Sequence, residues 1–179
     1  MKALATLAVV LGLTAVVSAQ QNDIIPLDKV VRSQRGTVSQ KIANTDITIV
    51  YGRPVARGRA LFGALVPYGR VWHPGADQGT TFETTRAIEV NGKPLPAGRY
   101  SLWTVPGEKG WTFIFSKNAD AFHTSYPGEG LDALRVDITA ETGAHMESMA
   151  FYFPAVDGKD ATLRFHWGTL IVPLAIKVQ

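Results

Sequence analysis

The chain has 179 residues, 46% hydrophobic and 18% charged, enough apolar content for a packed core, which excludes wholesale disorder. It has no cysteine, which excludes disulfides, thiolate metal sites, iron–sulfur clusters and a cysteine nucleophile. The net charge of +3 is too small and too scattered for nucleic-acid binding, which needs basic residues gathered on one face, so no nucleic-acid partner is expected.

Lys2 is followed by an uncharged apolar run from Ala3 to Val17, and Val17-Ser18-Ala19 supplies small residues at the positions a signal peptidase reads. This predicts a signal peptide over 1–19, cleaved before Gln20. The competing reading is a retained anchor. The run is short for about 30 Å of hydrocarbon and no basic stop-transfer cluster follows it, which favours cleavage. No later stretch reads as a span, so no stable membrane insertion is expected after cleavage. The mature protein is expected to be exported, periplasmic or secreted. Residues 20–35 are polar and aperiodic and read as a flexible arm.

From residue 36 to 179 the pattern is that of a β protein. Thr37–Ile42 and Asp46–Tyr51 read as strands, the second with Ile47, Ile49 and Tyr51 on one face. Residues 52–79 break the alternation with Pro54, Gly58, Gly63, Pro67, Gly69 and Pro74, predicting a long shaped loop after the second strand, with one helical turn over Ala60–Leu65. Further strands are read at Thr80–Thr84 and Ala87–Val90. Asn91-Gly92 is a hairpin signal, because both residues tolerate positive φ. Pro94–Gly98 reads as a turn, and Arg99–Val105 and Trp111–Ser116 as strands. A polar loop over 117–131 leads to strands at Ala133–Thr139, Met149–Phe153, Ala161–Trp167 and Thr169–Val178. The expected inward residues are Trp111, Phe113 and Phe115; Leu134, Val136 and Ile138; Met149, Phe151 and Phe153; and Leu163, Phe165 and Trp167. Arg164 and His166 are expected to face solvent. Pro173 lacks a backbone donor, which argues for an edge or a bulge. Gly 17 and Pro 10, many short strands and no long amphipathic helix predict an all-β, single-domain antiparallel β-sandwich.

Several segments carry a resemblance. They include Tyr51-Gly52-Arg53-Pro54, Arg57-Gly58-Arg59, Leu61-Phe62-Gly63 and Leu65-Val66-Pro67-Tyr68-Gly69-Arg70-Val71-Trp72. Further along come Val90-Asn91-Gly92-Lys93, the run from Leu95 to Leu102, Asp132–Val136 and Ala161–Arg164. In these the chain resembles the domain of unknown function 2911 family of exported bacterial proteins, over about residues 35 to 178. The resemblance implies an exported β-sandwich; it assigns no activity, cofactor or partner and transfers no catalytic residue. The family pattern is expected to place an arginine after the tryptophan. This chain has His73-Pro74 there, so a site built on that arginine would be altered.

Arg53, Arg57, Arg59 and Arg70 fall within one Gly/Pro-shaped loop, where guanidinium groups could grip a carboxylate or phosphate bidentately. The plainer alternative is that they pair with Asp77, Glu83 or Asp132, or face water. Tyr68 and Trp72 offer flat amphipathic walls for a sugar or apolar group. The plainer alternative for Trp72 is a plug at one end of the core. His73 could act as a general base oriented by Asp77. No two of the four histidines have metal-ligand spacing, and His73, Asp77 and His123 would have to be assembled from separate loops, so no metal site is expected. Phosphate-binding loops and a nucleophile elbow are absent, and no cofactor is expected.

The reading favoured is a non-catalytic exported binding or interaction module for a small anionic or carbohydrate ligand. Its ligand-binding residues would be Arg53, Arg57, Arg59, Tyr68, Trp72 and His73. One alternative is a hydrolase-type enzyme using His73 with Asp77. The other is a structural envelope protein without a ligand.

Overall fold

The computed structural model describes residues 29–179. The signal peptide expected over 1–19, and the arm as far as residue 28, lie outside the described residues. The architecture is two antiparallel sheets packed face to face. One contains β1 (Arg35–Ile42), β2 (Thr45–Gly52), β3 (Thr81–Thr84), β6 (Gly98–Val105), β7 (Gly110–Ser116) and β8 (Asp132–Thr139), hydrogen-bonded in the order β1-β2-β3-β6-β7-β8. The other contains β4 (Ile88–Val90), β5 (Lys93–Leu95), β9 (Glu141–Asp157) and β10 (Asp160–Val178), in the order β5-β4-β10-β9. This is the all-β sandwich expected from the alternation.

The alternating residues meet in the middle. Ile47, Ile49, Phe82, Phe113, Phe115, Val136, Phe151, Leu163 and Phe165 are all buried in one cluster between the sheets. Fully burying one such side chain contributes about 1.5–3 kcal/mol. The edges of the two sheets also approach each other, β1 against β9 and β5 against β8. Among the described residues no helix is long and apolar enough to cross a membrane.

The structure corrects the sequence reading in several places; the strand expected at Met149–Phe153, for one, runs from Glu141 to Asp157. Pro94 lies in a strand, β5, rather than in a turn: it sits opposite Glu89 on an edge strand, where a missing donor is tolerated. The two strands expected at 161–167 and 169–178 are one, β10, because Gly168 (φ 60) sits in the left-handed region and lets the register shift without ending the strand. Residues 60–65 form no helix. The chain doubles back, with the Leu65 and Val66 amides donating to the Ala60 and Leu61 carbonyls at 3.3 and 2.8 Å. His166 does not face solvent: it is 5% exposed, its Nδ1 lies 3.2 Å from the Tyr152 hydroxyl, and its Nε2 lies 3.0 Å from the Ala144 carbonyl. The expectation failed because β9 runs the whole length of β10 up to Ile171, with irregular register beside His166, and covers the ring.

Other local expectations hold. Asn91 and Gly92 have φ of 49° and 75°, as the hairpin between β4 and β5 requires. Pro173 falls between the part of β10 paired with β9 and the part paired with β4, so no ladder bond is lost there. The outer face of the six-stranded sheet is partly covered as well. Trp103 and Ile114, opposite each other on β6 and β7, pack with Ala121 and Tyr126 of the 117–131 loop into a second small core.

Candidate functional site

The long loop after β2 is fastened to both sheets across one end of the sandwich. On the four-stranded sheet Val55 bridges Ser148 of β9; the Ala56 amide donates to the Glu147 carbonyl at 2.8 Å and the Met149 amide to the Pro54 carbonyl at 2.9 Å. On the six-stranded sheet Trp72 bridges Thr104 of β6, with reciprocal amide–carbonyl bonds of 2.7 and 2.8 Å. The Gly69 amide reaches the Pro106 carbonyl at 2.8 Å. A loop held at both ends in this way can present side chains in a fixed geometry.

Arg57 has φ 53, a left-handed conformation that costs a residue with a Cβ about 1–2 kcal/mol. Its amide donates to Glu147 Oε1 at 2.6 Å, which holds that turn in place. The other carboxylate oxygen of Glu147 lies 2.8 Å from His145 Nε2. These bonds, that of His145 foremost, hold the Glu147 carboxyl below its ordinary range. Arg59 folds back along its own loop, donating from Nε to the Ala56 carbonyl at 2.9 Å and from Nη2 to the Val55 carbonyl at 2.6 Å. Two of its five N–H donors are thereby fixed, and the rest are left for other acceptors.

Arg32, Arg57 and Arg59 line one concavity of about 380 Å³, together with Leu65, Trp72 and Trp167. No Asp or Glu lines it. Among the described residues no carboxylate lies within ion-pair distance of these three arginines or of Arg53 and Arg70, so the alternative of pairing with Asp77, Glu83 or Asp132 is not realised. Asp132 instead pairs with Arg135 at 2.9 Å and accepts from the Tyr126 hydroxyl at 2.7 Å. The Trp72 and Trp167 rings lie parallel, 6° apart in plane with centroids 6.4 Å apart, and Trp72 also meets Phe62, Trp111 and Phe165 edge-on. Trp72 therefore packs against the core and also lines the concavity.

A second, larger concavity of about 680 Å³ opens on the other side of Arg59. Arg59 and Trp167 line both. Tyr68, 39% exposed, is in the larger one with Glu108, Lys109, Glu141 and Thr142.

The remaining sequence candidates lie elsewhere. Arg53 turns back across the sheet edge, its chain against Gly36 and its Nε donating to the Met149 carbonyl at 3.2 Å, so it ties β1 to β9 and does not line the arginine concavity. Arg70 is exposed and lines neither concavity. His73 is 4% exposed behind the six-stranded sheet, its ring 5.8 Å from Trp103 and 6.0 Å from His123. Its Nε2 accepts the Thr80 amide at 2.6 Å. Burial, and the neighbouring His123 to a lesser degree, pull its imidazole down to about 3, so it is neutral at physiological pH. Asp77 is exposed and makes no hydrogen bond to His73, whose Nε2 is taken by the Thr80 amide. The base–orienter pair required for the hydrolase reading is thus not assembled, and neither residue lines the arginine concavity. Among the described residues no three His, Asp or Glu side chains converge as a metal site. Arg32 was missed because the arm around it reads as featureless polar chain.

Fold and site together define an all-β sandwich with a carboxylate-free arginine concavity at one end. The family described as Protein of unknown function (DUF2911) matches residues 33–176, and the chain belongs to it. No curated protein and no solved structure matches the chain.

Proposed function

We propose that this protein is an exported, periplasmic or secreted bacterial binding module that captures a small anionic ligand in the concavity of Arg32, Arg57 and Arg59, without catalysing a reaction on it. The observation that carries this reading is three arginines on one walled concavity that no Asp or Glu lines. Arginines that form no ion pair, set beside apolar walls, favour an anion, and the walls strengthen that attraction by lowering the local dielectric. Trp72 and Leu65 suit an apolar or ring-shaped body attached to the anionic group. The left-handed backbone at Arg57, pinned by Glu147, is local strain of the kind that gathers at binding loops. The export half of the proposal rests on the apolar run after Lys2.

The test is a thermal-shift screen of the mature protein against carboxylates, phosphates, neutral sugars and divalent metals. An anion present at a hundred times its dissociation constant should stabilise by about 2.7 kcal/mol, which raises the melting temperature by roughly 5–10 °C at this size. The shift should shrink with added salt and vanish in an Arg57→Ala/Arg59→Ala double variant. No shift with any anion would overturn the proposal and favour the envelope protein without a ligand.

A further inference from the structure

The two concavities are not independent, because Arg59 and Trp167 line both. Their chemistry differs. The smaller offers three arginines, the Ser33 hydroxyl and apolar walls, with no carboxylate among its lining residues. The larger mixes the acceptors of Glu108 and Glu141 with the donor of Lys109, the hydroxyl of Thr142 and the half-exposed ring of Tyr68. Among the described residues Glu108 has no hydrogen-bonded partner, and Glu141 meets only Arg164, at 3.4 Å.

We propose that the anionic ligand is an acidic oligosaccharide: its acidic group is held by Arg32, Arg57 and Arg59, and its neighbouring sugar units continue past Arg59 into the groove walled by Tyr68. This rests on the anion-binding reading and extends it. Sugar hydroxyls both donate and accept, which fits a groove that offers both kinds of partner, and the C–H face of a sugar ring packs on an aromatic ring. Volumes of about 380 and 680 Å³ lie in the range of small-molecule sites, on the order of 300–1,000 Å³ each. A simple anion would leave the larger groove empty. An extended acidic peptide would set its repeated carboxylates against Glu108 and Glu141. The ligand class that fits both chambers is therefore one that is acidic at one unit and rich in hydroxyls beside it.

The experiment is isothermal titration of the mature protein at low ionic strength with galacturonate, a trisaccharide of one galacturonate and two neutral galactose units, neutral galactotriose and a triglutamate peptide. The mono-acidic trisaccharide should bind at least about tenfold more tightly than galacturonate, with galactotriose and triglutamate weaker than both. Tyr68→Ala should abolish the preference for the trimer over the monomer, and Arg57→Ala should weaken both acids. Equal affinity for monomer and trimer would overturn the oligosaccharide inference while leaving the anion site standing. Tighter binding of triglutamate, or a trimer preference that survives Tyr68→Ala, would also overturn it. Failure of every acid to bind would remove this inference and the anion reading together.

Discussion

Protonating His73 should destabilise this protein, and the size of the effect follows from where the ring lies. Its Nε2 accepts the Thr80 amide at 2.6 Å, so the neutral tautomer carries its proton on Nδ1. A second proton would oppose that amide and charge a ring that is 4% exposed and 6.0 Å from His123. Burial first, and His123 second, lower the imidazole from 6.5 to about 3. In the unfolded chain the same ring titrates at its ordinary 6.5, so between 6.5 and 3 the unfolded state binds more protons. The contribution to stability is complete above pH 6.5 and is lost progressively as pH falls towards 3. Each unit is worth about 1.4 kcal/mol, so two units, at pH 4.5, remove about 3 kcal/mol, and pH 5.5 removes about half of that. The assay is urea denaturation of the wild type and His73→Gln at pH 7, 5.5 and 4.5. Gln can accept the Thr80 amide but does not titrate, so the difference between the two curves isolates His73 from the carboxylates. The wild type should lose about 3 kcal/mol more than the variant between pH 7 and 4.5. Parallel curves would refute the reasoning.

Two further substitutions probe the frame. Phe165→Ala should cost roughly 3–5 kcal/mol, because the ring is fully buried and lies 5.4–5.6 Å from Phe151 and Trp111; calorimetry should show a melting temperature lower by roughly 6–20 °C. Gly168→Ala should cost about 1–2 kcal/mol, because φ 60 is strained for any residue with a Cβ. The new methyl would also meet the Leu61 Cδ1 at 2.9 Å, a flexible tip that can yield. Chemical denaturation showing no loss for that variant would mean β10 does not bulge there.

The frame was legible because most strands are half-buried on one face, and the alternation in Asp46–Tyr51, Trp111–Ser116 and Ala133–Thr139 records which face that is. It failed where burial comes from both sides or from a neighbour. His166 lies at a parity that should be solvated, but β9 closes over it. Ser101, Trp103 and Ile114 are buried on the outer face by a loop that looks merely polar in sequence. The site was legible only in part. Arg57, Arg59 and Trp72 share a concavity as a loop reading could anticipate. Arg53 and His73 are equally close in sequence, yet the turns at residues 53–58 and 73–80 send them to other faces. Arg32, Glu108, Lys109 and Glu141 reach the two concavities from separate segments, and no local pattern marks any of them.

The four tryptophan indole N–H signals offer the most direct measurement of anion capture. Trp72 and Trp167 wall the arginine concavity, whereas Trp103 lies on the outer face of the six-stranded sheet, its Nε1 donating to Ser101 Oγ at 2.9 Å. In a nitrogen–proton spectrum titrated with galacturonate, the Trp72 and Trp167 indoles and the Arg57 and Arg59 Nε–H signals should shift together with one saturation curve, while Trp103 stays still. Shifts confined to Trp103, or saturable shifts that leave Trp72 and both arginines unmoved, would contradict capture at this site.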